Sequence, residues 1–111
     1  MDELVQRLSQ GAHPVVVGGP KATREEFRTR LQERGYVFIK FTETQGETDL
    51  GMRVDVAATD LSQADFSGGK GIAHIEGTLM LNYVNIRCVA EIRLETLSGT
   101  GHLIVLENAQ P

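Results

Sequence analysis

A chain of 111 residues with 41% hydrophobic and 23% charged side chains has the make-up of one ordinary globular domain spanning residues 1–111, and it is too apolar to stay disordered. Its formal net charge of -4 argues against broad nucleic-acid binding, which depends on clustered Lys and Arg. The lone cysteine, the lack of an early apolar run and the lack of any apolar stretch of membrane-spanning length point to a cytoplasmic protein without a signal peptide, internal disulfide or membrane partner.

Asp2 is placed to cap a short first helix whose buried stripe is Leu4, Val5 and Leu8, and Gly11 is placed to end it. Pro14 favours extended backbone, and Val15, Val16 and Val17 read as a β-branched strand. After the turn Gly18-Gly19-Pro20, Thr23 and Glu26 have the spacing of a capping box. The helix they open buries Phe27 and Leu31, carries a Glu26–Arg30 pair at i, i+4 and stops at Gly35.

Tyr36 to Thr42 is aromatic and β-branched and reads as a strand, and the polar segment Glu43 to Asp49 reads as a loop. From Leu50 to Val56, Leu50, Met52, Val54 and Val56 alternate with polar residues, the pattern of a strand with one wet face. Ser62 and Asp65 suggest one helical turn within Thr59 to Phe66, and Ser67 to Gly71 reads as a flexible glycine loop. Ile72 to Tyr83 and Val84 to Leu94 follow as strands. Ile75, Leu79 and Leu81 share one parity, and Val84, Ile86, Cys88, Ala90, Ile92 and Leu94 share the other, so Asn82 and Tyr83 mark a turn or a β-bulge. Ser98 and Gly99 read as a turn, Gly101 to Glu107 as the last strand, and Asn108 to Pro111 as a frayed tail.

Helices early and a long meander late imply a two-layer α+β domain, with both N-terminal helices packed on one face of a curved, mostly antiparallel sheet of five to six strands. Val15 to Thr42 has the length of a right-handed βαβ crossover, and antiparallel placement is the alternative.

Chemistry is thinly marked. Gly71-Ile72-Ala73-His74-Ile75 resembles Gly99-Thr100-Gly101-His102-Leu103, and on neighbouring strands His74 and His102 would lie side by side with Glu76 nearby. Together with Arg87 they are the candidate polar groups of a small-molecule site on the concave face, walled by Met80, Tyr83 and Ile104. No spacing suits a metal or another cofactor. The helix start with Lys21 and Arg24 is a candidate anion site, although neither GxGxxG nor a P-loop is present, and Gly68-Gly69-Lys70-Gly71 also fails the P-loop pattern. Cys88, on an apolar strand face, reads as a buried small hydrophobe. No nucleophile is recognisably set beside an oriented base, so the chain leans away from being an enzyme.

The last strand is apolar on both parities from Leu103 to Leu106, as is Val37 to Phe41 in large part. Two short helices cover one sheet face, so Ile104 and Leu106, with Met80 and Val89, are expected either at an interface, enclosed by strong curvature of the sheet, or under a loop. Charge is also uneven: residues 21–34 hold five cations against three carboxylates, and residues 43–66 hold one cation against six. The reading favoured is a non-enzymatic accessory or regulatory protein that binds another protein and forms a homo-oligomer. A small-molecule binder or minor enzyme around His74 and His102 is the alternative, and nucleic-acid binding through Lys21, Arg24 and Arg28 comes last.

Overall fold

The computed structural model of the chain describes residues 3–108. In chain order they form α1 (Glu3–Leu8), β1 (His13–Val17), α2 (Arg24–Thr29) continued by a wide π turn (Arg30–Arg34), β2 (Tyr36–Phe41), β3 (Thr48–Val54), β4 (Ala64–Asp65), β5 (Lys70–Leu81), β6 (Val84–Arg93) and β7 (Ser98–Asn108). The strands lie in the order β3-β2-β1-β7-β6-β5-β4, every pairing is antiparallel, and β3 also pairs with β5.

That last pairing overturns the expected architecture. Arg53 opposite Thr78 and Val54 opposite Gly77 join the two ends of the sheet, so six strands close into a barrel with β4 as an extra strand. The chain is not a two-layer α+β domain with both helices on one sheet face. Each of its α-helices has only six residues, too little to cover a sheet. They sit instead at opposite ends of the barrel. α1 leads directly into β1, and Arg7 donates to the carbonyl of Glu43 in the β2–β3 connection. α2 and its π turn bridge the other end, from the exit of β1 to the start of β2. β1 and β2 are antiparallel, so the expected right-handed crossover does not form.

The alternation of the strands decides what the barrel encloses. Val15 and Val17, Val37, Ile39 and Phe41, Leu50, Met52 and Val54, Ala73 and Ile75, Ile86, Cys88, Ala90 and Ile92, and Leu103 all point inward and are buried. Val5 and Leu8 of α1 join this core at one end, and Phe27 and Leu31 at the other. The concave side of the sheet is therefore a filled interior, not a ligand chamber. Curvature does shelter one parity of the surplus apolar residues, while the other parity remains outside.

Local signals in the sequence hold where they depend on neighbours in the chain. The Thr23 hydroxyl accepts from the Glu26 amide at 3.2 Å, and Gly35 ends the π turn in the left-handed region with φ 67°. Asn82 and Tyr83, with φ of 50° and 65°, form a two-residue hairpin turn between the paired Leu81 and Val84. Other expectations change. β3 ends at Val54, and Val56 is exposed. The segment expected to hold a helical turn instead carries β4 and turns pinned by Asp60 and Asp65, which accept from the amides of Ser62 and Gly68. Ser98 and Gly99 lie within β7, opposite Arg93 and Ile92, and Asn108 pairs with Val84. Asp2 and residues 109–111 lie outside the described residues. No helix among the described residues is long and apolar enough to cross a membrane.

Candidate functional site

The three longest strands, β5, β6 and β7, present one continuous outer face. Its rows run across the sheet as His74–Glu91–Thr100, Glu76–Val89–His102 and Thr78–Arg87–Ile104. β6 separates the two histidine strands and the two rings lie in adjacent rows, so His74 and His102 stand two strand spacings across and one row along, roughly 12 Å apart, and do not converge. Both lie on the convex surface rather than in a cavity on the concave side.

Three of the four polar residues singled out in the sequence do meet. His74 Nε2 lies 2.8 Å from Glu76 and Nδ1 lies 3.1 Å from Glu91. A carboxylate only accepts, so the ring satisfies both contacts only as the imidazolium, donating from each nitrogen. The Glu76 contact accordingly raises the His74 pKa above its ordinary 6.5; partial burial opposes the rise and Glu91 adds to it. Glu76 also accepts from Arg87 at 3.2 Å, and Arg87 donates to Asp55 at 3.0 Å. That Arg87 contact holds the Asp55 carboxyl below its usual value. The result is a linear chain, Glu91–His74–Glu76–Arg87–Asp55, in which each cation sits between two carboxylates. Glu76 and Glu91 approach opposite ring nitrogens, so they cannot share one ion with it. Among the described residues no group of three or more His, Cys, Asp or Glu is arranged to hold a metal.

Apolar side chains occupy the hairpin end of the same face. Met80 is 58% exposed, Tyr83 68%, Ile104 42% and Leu106 50%, and Val89 beside them is half-buried. The four expected interface residues are thus on one outer surface, with Tyr83 added at the turn. Tyr36, Val56 and Ile72 are also exposed, each away from this cluster, whereas Phe38 is partly covered: Gly19 packs on its ring, Tyr36 stacks edge-on at 5.5 Å and the Arg30 guanidinium lies 4.9 Å from its centre. Cover therefore accounts for Phe38 of β2, while Tyr36 and the outer apolar residues of β7 stay exposed.

The remaining candidates fall elsewhere. Lys21 is exposed, and Arg24 turns away from the helix start towards the glycine loop, where it packs on Gly69. Cys88 is buried, and burial pushes its thiol pKa up to about 12. Asp55 and Glu91 escaped the sequence reading because only strand register brings them to Arg87 and His74. Compared with known protein families and with curated proteins, the chain matches none.

Proposed function

We propose that this protein is a non-enzymatic binding module that self-associates through the outer face of β5–β6–β7. The observation that carries this reading is the apolar patch of Met80, Tyr83, Ile104 and Leu106, left bare although the barrel interior is closed and filled. Taking about 200 Å² for a large side chain, the exposed parts amount to roughly 400 Å², the size of patch that on a monomer usually has a use. A two-fold axis through it would join about 800 Å² of apolar surface, and a polar rim brings the total to the roughly 1,200 Å² that a specific interface needs.

Support also comes from β6, which runs between Met80 on one side and Ile104 on the other. Its outward Asn85 is uncharged and its outward Arg87 is already paired with Asp55 and Glu76, so the middle of the face carries no unpaired cation. A ligand site around His74 and His102 has less in its favour, since the polar groups of the ion chain are occupied with one another.

Light scattering after gel filtration tests the proposal. The expected mass at micromolar concentration is twice that of one chain. Replacing Ile104 and Leu106 together by serine should return it to one. Each side chain has about half its surface left to bury, worth about 1 kcal/mol, and symmetry doubles both contributions, so the pair weakens the dimer by about 4 kcal/mol or roughly 1,000-fold. A wild-type monomer would reject the reading, as would a dimer indifferent to the double substitution.

A further inference from the structure

Two features that carry little in the sequence, the basic side of α2 and the glycine loop before β5, meet in space. Arg24 and Arg28, one helical turn apart, line a groove of about 320 Å³ together with Glu25, Thr29, Phe66 and Ser67. The Arg24 guanidinium lies close over Gly69, where an added Cβ would displace it, and Gly69 itself is buried with φ 65°. The Gly68 amide donates to Asp65 at 2.9 Å and fixes the turn of the loop on itself. Phe66 is fixed as a wall by Phe27, 6.2 Å away between ring centres.

Charge on this helix is unevenly used. Glu26 takes both Arg30, at 3.2 Å, and Arg34, at 2.9 Å. Arg24 and Arg28 are left without an ion pair among the described residues, although the chain as a whole is acidic. The Glu26 amide at the helix start is already taken by the Thr23 hydroxyl.

We infer that this groove binds a small phosphate monoester. Two guanidinium forks exceed what one carboxylate can accept with two oxygens and a single charge, whereas a phosphate offers three free oxygens and nearly two charges. The Ser67 hydroxyl is a third donor, and the face of Phe66 takes the organic part of the ligand. A volume of about 320 Å³ stands at the small end of ligand sites, which fits a single-phosphate metabolite and not a dinucleotide.

The test is an amide NMR titration of the full chain with phenyl phosphate, inorganic phosphate and benzoate at low salt. Saturating shifts are expected at Ser67, Gly68 and Gly69, with phenyl phosphate binding more tightly than inorganic phosphate, and benzoate weakest. Arg28→Gln, at an exposed position, should weaken phenyl phosphate by about tenfold or more while leaving signals away from the groove in place. The inference is overturned by any of three results. One is no saturable shift in the loop at roughly 10 mM phenyl phosphate, a concentration that would reveal even millimolar affinity. The others are equal affinity for phenyl phosphate in Arg28→Gln, and equal affinity of the wild type for the three probes.

Discussion

Gly77→Ala strikes the barrel at its seam, where β3 and β5 share only two residue pairs. Gly77 points inward opposite Val54, and a Cβ there would stand 2.6 Å from the Arg53 carbonyl oxygen, 2.8 Å from Met52 Sδ and 2.9 Å from Met52 Cγ. The Met52 side chain is flexible and can move. The carbonyl cannot move freely, because the next residues are tied down: the Val54 amide donates to Gly35 at 2.9 Å and the Asp55 amide to Glu76 at 2.7 Å. Overpacking of this kind costs up to about 3 kcal/mol, and the reduced freedom of an unfolded chain carrying Ala returns less than about 1 kcal/mol. The net loss is about 2 kcal/mol, or a fall of roughly 8 °C in Tm for a domain of this size. Thermal unfolding followed by circular dichroism measures it. Gly51→Ala is the comparison: the atoms nearest to the added methyl belong to the Tyr36 and Phe38 side chains and not to the backbone, so a smaller loss is expected. A Gly77→Ala protein as stable as the wild type would mean that the seam is not closed as described.

Tyr83 holds φ 65° at the hairpin tip, an uncomfortable region for a residue with a Cβ, so Tyr83→Gly should stabilise the monomer by about 1 kcal/mol in urea unfolding while weakening self-association. Because the folded-state pKa of His74 is raised, its stabilising contribution is complete below 6.5 and is lost as pH rises through the folded value. Melting temperatures taken across that window should therefore decline for the wild type and stay flatter for His74→Gln. Cys88, buried with its pKa near 12, should resist a thiol reagent in the native protein and react only as fast as the barrel opens; prompt labelling would contradict its placement.

Much of this molecule is written locally. The parity of β5 and β6, the Thr23 cap, the Gly35 stop and the burial of Cys88 all follow from residues near one another in the chain. The closure of the barrel does not, because Arg53 and Thr78 pair across the sheet without any signal in either segment. Helix length misled as well: Phe27 and Leu31 form the expected buried stripe, but the helix widens into a π turn between them and caps a barrel end instead of covering a sheet. The surplus of apolar residues in the last strand was legible, and closure divides it by parity, with Leu103 buried inside and Ile104 and Leu106 exposed. His74, Glu76 and Arg87 could be placed on one face from alternation alone, whereas Glu91 and Asp55 needed the register of β6 and the path of the chain after β3.

The most direct measurement of what the bare face does is an isotope-filtered NOE experiment on a mixture of labelled and unlabelled protein. Contacts between the methyl groups of Ile104 and Leu106 of one copy and the Met80, Tyr83, Ile104 or Leu106 side chains of the other are the expected result. Methyl resonances that show no contact between copies and do not shift with concentration would contradict the assignment of this face to self-association.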